Sequence, residues 1–217
     1  MAPQPRIETI PLGPLDTNAY LIISPPDCWV VDPGLWPEVL IDRVNELKLI
    51  PSRILLTHGH VDHIAGVEDI KRLWNDVRIY CGAQDADMLA DPHKNMSASF
   101  GFNITSPPAD VLLQGGEVLK FANWTWRVLD TSGHTPGGIS YYSAEGKVVL
   151  TGDALFAQSI GRTDIPGGDG RRLLANIRKN LMTLPNDTRI LSGHGGESTI
   201  RAERIKNPFL IEPPRGS

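Results

Sequence analysis

A chain of 217 residues, 41% hydrophobic and 21% charged, is long enough to bury one substantial core and is too apolar to stay disordered. Its formal net charge of −4 gives no electrostatic pull towards nucleic acid or an anionic membrane surface. No apolar run approaches the length that crosses a bilayer, and the opening Met1-Ala2-Pro3-Gln4-Pro5 lacks the apolar stretch of a signal peptide.

The two cysteines, Cys28 and Cys81, suit a reducing compartment better than a disulfide framework, so the expectation is one cytoplasmic domain over residues 1–217. Residues 7–12, 19–24 and 28–32 read as short strands, with turns at Asp16-Thr17-Asn18 and Pro25-Pro26-Asp27. Asp32-Pro33-Gly34 stops the third strand, and its carboxylate is either a plain turn aspartate or a group that orients a metal-binding histidine. Residues 36–48 carry Val39, Leu40, Val44 and Leu47 at helical spacing. A strand at 53–57 follows, then a His-rich turn, then a helix to about Asn75 marked by Ile64, Val67, Ile70 and Trp74. Residues 77–81 read as a strand and 83–90 as a short helix. From Asp91 to Asp110 periodicity is lost; a loop of this length inside a compact domain is usually functional or mobile. Its Met96, Phe100 and Phe102 either cover a pocket or tuck the loop onto the core.

The second half returns to strands near 117–121 and 124–130, then 139–143 and 147–151 as a hairpin. A Gly-rich loop spans 159–170, where Asp169 reads as the N-cap of a helix carrying Leu173, Leu174, Ile177 and Leu181. The last strand is 188–191, and a helix over 198–206 ends at Asn207-Pro208. Strands with interleaved helices in both halves imply an α/β (α+β) arrangement of two sheets covered by helices.

The chain's chemistry gathers at strand ends. Thr57-His58-Gly59-His60-Val61-Asp62-His63-Ile64 places three imidazoles and a carboxylate within six positions, between a strand and a helix, where ligands bind in α/β proteins. His58 and His60 are spaced to chelate one cation, while Asp62 and His63 lie further round the turn and can face another. Imidazole and carboxylate together suit zinc, iron or manganese. His134, Asp153 and His194 each lie on a further Gly-containing turn after an expected strand. His93, in the long loop, is read as an ordinary surface residue.

These positions, in order and context, resemble the metallo-β-lactamase fold superfamily. The likeness runs through nearly the whole chain and includes Asn18-Ala19-Tyr20, Val31-Asp32-Pro33-Gly34, Gly133-His134-Thr135-Pro136-Gly137 and Gly152-Asp153. Within the superfamily the chain looks most similar to the hydroxyacylglutathione hydrolase (glyoxalase II) group. Gly161-Arg162-Thr163-Asp164 and Glu203-Arg204-x-x-Asn207-Pro208-Phe209-Leu210 resemble its short bacterial members. The resemblance implies an αββα sandwich with two divalent metals, zinc first and iron or manganese as alternatives. His58, His60 and His134 would hold the first and Asp62, His63 and His194 the second, with Asp153 between them; Asp62 and Asp153 would also serve catalysis. Only Gly195–Ser217 follow His194, so the C-terminal helical domain with which full-length relatives contact glutathione is expected to be absent.

No Ser-His-Asp or Cys-His set is evident, so the expected nucleophile is water activated by metal, a hydroxide bridging the pair. A thioester suits such a site because thiols ionise near pH ~8.5 and leave without a dedicated acid, whereas an amide or β-lactam nitrogen must be protonated. The expected partner is a small-molecule thioester, with Phe100 and Arg162 as candidate substrate contacts and Arg201, Arg204 and Lys206 as other basic positions for an anionic group. The alternatives are a mononuclear iron persulfide dioxygenase using His58, His134 and Asp153, another ester or lactone hydrolase of the superfamily, a nuclease, and a metal-stabilised binding module. The acidic balance speaks against the nuclease, and the lack of cysteine at the cluster against a structural zinc site.

Overall fold

The computed structural model describes residues 4–211; the Met1-Ala2-Pro3 opening and the tail from Glu212 lie outside it, and so do the ends of the expected 1–217 domain. β1 (Arg6–Leu12), β2 (Thr17–Ser24) and β3 (Asp27–Val31) form an antiparallel meander. β4 (Ile50–Leu55), β5 (Arg78–Gly82) and β6 (Val111–Leu113) then add in parallel, giving a sheet of order β1-β2-β3-β4-β5-β6. The parallel steps need crossovers: α1 (Glu38–Glu46) joins β3 to β4, α2 (Val61–Ile64) and α3 (Val67–Leu73) join β4 to β5, and a 3-10 helix over Ala83–Ala90 with the 91–110 loop joins β5 to β6. The second sheet contains β7 (Val118–Phe121), β8 (Trp124–Asp130), β9 (Ile139–Ser143) and β10 (Val148–Gly152). β11 (Leu155–Phe156) and β12 (Ser159–Ile160) form a separate hairpin, and α4 (Gly170–Asn176) leads on to β13 (Arg189–Ser192) and β14 (Ser198–Thr199). The order of the second sheet is β14-β13-β10-β9-β8-β7, and α5 (Ile200–Lys206) closes the described chain.

Alternation along β2 shows how the layers arise. Ala19, Leu21 and Ile23 point to one side, where they share a core with Leu40 and Val44 of α1 and Val67 and Ile70 of α3. Tyr20 and Ile22 point to the other and share a core with Trp126, Val128, Tyr141 and Leu150 of the second sheet. Both faces are therefore buried, which is why the strand reads as an unbroken apolar run. A third cluster joins Tyr142, Val149 and Ile190 to Leu173, Ile177 and Ile200, so helices also cover the far side. The layers are αββα, as the sequence implied. Each large aliphatic side chain so buried contributes about 1.5–3 kcal/mol. No helix of the described residues is long and apolar enough to cross a membrane. Cys28 and Cys81 are both free and buried.

The departures from the sequence reading are local. The expected helix to Asn75 breaks at Ala65-Gly66, where Gly66 N–H donates to Pro33 O at 2.8 Å. A Cβ there would press on Pro37 and on the Pro33 and Gly34 carbonyls, so the helix bends where glycine lets the two segments touch. The 91–110 loop is built rather than loose. It contains a 3-10 turn, Ser97–Phe100, held by Asn95 Nδ2–H to Ile104 O (2.9 Å) and Ile104 N–H to Ser97 Oγ (3.2 Å). Phe100 and Phe102 are 58% and 61% exposed, so polar bonds and not aromatic packing fix this loop. The Gly-rich stretch expected over 159–170 begins with β12, paired to β11. Asp169 caps α4 by accepting from Arg172 N–H at 3.0 Å, and that helix ends in a wider π turn over Ile177–Leu181. Ser198 and Thr199, expected as the start of a helix, pair with β13, and Thr199 Oγ1 then caps α5.

Candidate metal centre

After β4 the chain passes through Leu56 and Thr57 and turns at His58-Gly59-His60, with His60 still extended (φ −72°, ψ 150°) as it enters α2. Asp62 and His63 occupy the first turn of that helix, so their side chains leave it on the side facing the strand ends. His134 sits between β8 and β9, Asp153 just beyond β10, and His194 just beyond β13. Positions far apart in sequence thus meet at one edge of the two sheets.

Three overlapping groups result, each with its ligand atoms within 4.8 Å of one another: His58, His60 and His134; His58, His63 and Asp153; and Asp62, His63 and His194. His134 Nε2 lies 3.0 Å from His60 Nδ1, and His194 Nε2 lies 3.2 Å from Asp62 Oδ2. Asp153 stands between the outer groups. Its Oδ1 is 3.4 Å from His63 Nε2, and its Oδ2 is 3.7 Å from His134 Nε2 and 3.6 Å from His194 Nε2.

Surrounding hydrogen bonds decide which nitrogen of His58, His63, His134 and His194 faces inward. His63 Nδ1 is 3.0 Å from Asp32 Oδ2, His134 Nδ1 is 2.7 Å from Arg162 O, and His194 Nδ1 is 3.0 Å from Leu15 O. Each acceptor holds the Nδ1 proton and so aims Nε2 at the centre, where a bound cation would take the place of any proton it carries. Thr57 Oγ1 donates to Asp32 Oδ2 (2.6 Å), so its lone pair is available to His58 Nδ1 at 3.2 Å. His58 Nε2, His63 Nε2 and Asp153 Oδ1 are buried with no hydrogen-bond partner. Buried polar atoms are normally satisfied, and lone pairs converging in this way fit a cation. Asp32, open between two roles in the sequence, therefore orients His63 and also holds Thr57 through its backbone N–H at 2.7 Å.

Electrostatics divide the rings: His58 and His60 are driven towards the neutral, ligating form, whereas the carboxylates beside His63 and His194 favour the protonated one. Burial, reinforced by His63, His60 and His134, holds His58 well below the ordinary histidine range, and burial with His134 pushes His60 down to about 3. Both rings are neutral. Burial opposes charge on His63, but Asp62, Asp153 and Asp32 outweigh it and hold that ring well above its usual value. Burial alone would raise Asp62 and Asp153; His63 and the other imidazoles overcome it and keep both carboxylates ionised.

Neither proposed substrate contact supplies a side chain to the three ligand groups. The Arg162 guanidinium is exposed and held by Asp164 through two bonds of 2.9 Å, and only its carbonyl reaches the centre. Arg204 binds Asn186 Oδ1 and the Met182 and Leu184 carbonyls, and so serves the fold. Phe100 faces solvent on a loop whose Asn95 O accepts from Val61 N–H at 2.9 Å. His93 is exposed and belongs to none of the three groups. Nothing in the sequence pointed to Asp85, which is fully buried and accepts from Gly59 N–H, Thr135 Oγ1–H and Gly137 N–H. Nor did it single out Thr17, whose Oγ1 lies 3.2 Å from Asp62 Oδ2.

Comparison with known proteins agrees with this geometry. Residues 12–194 match the family described as the metallo-beta-lactamase superfamily. The chain is 40% identical over 202 residues to "Probable metallo-hydrolase YqgX" of Bacillus subtilis, covering 93% of this chain and 95% of that one. It is 37% identical over 212 residues to "Hydroxyacylglutathione hydrolase GloC" of Haemophilus influenzae, covering 94% and 98%. Among solved structures, BLEG-1 B3 metallo-beta-lactamase superposes with a TM-score of 0.91 at 40% identity, over 95% of this chain and all of that one. A di-iron-bound form of TTHA1623 gives 0.83 at 36% identity, over 94% and 100%. With its histidines and aspartates gathered at the edge of two stacked sheets, the chain belongs to the metallo-beta-lactamase superfamily as one of its metallo-hydrolases.

Proposed function

We propose that this chain is a dinuclear metallo-hydrolase that cleaves small-molecule thioesters of the hydroxyacylglutathione type. The observation that carries the reading is the position of Asp153, whose two oxygens face His63 on one side and His134 and His194 on the other. A carboxylate so placed joins a His58-His60-His134 group to an Asp62-His63-His194 group. Two divalent ions held by these groups would make water a nucleophile at neutral pH and polarise the substrate carbonyl. The donor set is one that zinc, iron and manganese share, and the di-iron form of TTHA1623 keeps iron beside zinc.

The protein's own part is to fix geometry. Asp32, Arg162 O and Leu15 O lock the tautomers of His63, His134 and His194, so the inward lone pairs need no rearrangement during turnover. Asp62 and Asp153, both ionised, orient the attacking water and balance positive charge at the centre. The leaving thiolate needs no proton from the enzyme. Similarity to a hydroxyacylglutathione hydrolase over nearly its full length supports the thioester class.

A second reading, β-lactam opening, is favoured by the high similarity to a B3 metallo-beta-lactamase. Parallel assays of the purified chain with S-lactoylglutathione and with a chromogenic cephalosporin separate the two. Thioester hydrolysis with little cephalosporin turnover is the expected result, and the reverse preference would overturn the thioester assignment.

A further inference from the structure

Asp85 has no place in the ligand set, yet it is fully buried between the two segments that carry one ligand group. Its Oδ2 accepts from Gly59 N–H (3.1 Å), at the midpoint of the His58-Gly59-His60 turn, and from Thr135 Oγ1–H (2.6 Å), next to His134. Its Oδ1 accepts from Gly137 N–H (2.6 Å). One carboxylate therefore ties the first-half turn to the second-half loop across the fold. No bond of Asp85 reaches Asp62, His63 or His194. The His194 loop is held by a different residue. Asn18 N–H donates to Gly193 O (2.7 Å), and Asn18 Nδ2 donates to Ser192 O (3.0 Å) and Gly195 O (2.9 Å).

We propose that Asp85 is a positioning residue for the His58-His60-His134 group, acting through Gly59, Thr135 and Gly137, and that Asn18 has the corresponding role for His194. The two ligand groups are then set by separate clamps, each disturbable without the other. Charge and shape both enter. Three donors converge on two carboxylate oxygens, and an amide at position 85 has only one oxygen. In either orientation its NH2 faces a backbone N–H, that of Gly59 or that of Gly137. Asp85→Asn therefore leaves a buried donor unpaired in spite of its near-identical volume.

The proposal rests on the metal-centre reading, and the test separates the two. Zinc is titrated into the metal-depleted full-length chain against a chromophoric chelator, and imidazole 15N resonances report which histidines take it. Outer groups that orient ligands typically govern affinity by ~10–100-fold, so Asp85→Asn should lose about tenfold or more at His58, His60 and His134 while His63 and His194 stay within about threefold. Asn18→Ala should show the reverse pattern. Thr135→Val removes one of the three bonds and should shift the first group in the same direction by less; it decides the matter if Asp85→Asn does not fold. Equal loss in both groups, or unchanged affinity with only a lower Tm, would overturn the proposal. His58→Ala is the control: unchanged zinc binding there would overturn the metal centre itself, whereas loss there without selective loss in Asp85→Asn would overturn only the role of Asp85.

Discussion

At the residue scale, four of the five clustered histidines have the ring nitrogen remote from the centre next to an acceptor, and those acceptors come from four different segments: Thr57, Asp32, the Arg162 carbonyl and the Leu15 carbonyl. Function should therefore respond to residues that touch no substrate. Asp32→Ala leaves His63 without its acceptor and Thr57 without two bonds, and should weaken metal binding at the Asp62-His63-His194 group by ~10–100-fold, read by chelator competition. Asp153→Asn keeps the volume but removes the charge shared by both groups, so it should weaken both metals together; His194→Ala should weaken mainly one, as metal analysis of the two variants would show. His58→Ala should abolish activity and lower metal content, whereas His93→Ala, exposed and apart, should change neither. The seven clustered residues were legible because a run of four within six positions is rare by chance and the other three follow strands. Asp85 was not legible: it meets Gly59 and Gly137 only after folding, and nothing beside it in sequence marks a buried carboxylate.

At the element scale, the site depends on strand ends approaching closely. Gly193 follows β13 in a place where a Cβ would collide with Asp153 Oδ1 and His63 Cε1. Gly193→Ala should therefore displace Asp153 and cut metal affinity and turnover sharply. Its effect on Tm should be smaller, because the collision lies at the sheet edge and not in its core; a melting curve beside a metal titration checks this. Long strands buried on both faces announced themselves as apolar runs, as in β2 and β10. β6, β11, β12 and β14 did not, because two or three residues show no periodicity and owe their form to the partner they pair with. The α2–α3 break was hidden for the same reason, since the contact that bends it comes from Pro33 and Pro37.

At the scale of the whole molecule, the site draws ligands from both sheets, His58 to His63 from the end of the first and His134, Asp153 and His194 from the second. Metal bound there would hold the sheets together at one edge, while the apolar layer between them, including Ile22, Trp29, Trp126 and Tyr141, holds them elsewhere. Two consequences differ in kind. Ile22→Ala should cost about 2–5 kcal/mol of stability whether or not metal is bound. Chelation should instead lower Tm in a way that free metal reverses, by about 4 kcal/mol of linkage at a thousand times Kd.

If hydrolysis needs both ligand groups filled, zinc added stepwise to the metal-depleted chain should give little thioester turnover at one equivalent and full turnover at two, with no further rise. Full turnover at one equivalent, or none at two, would show that a bridged pair of metals is not what this site uses.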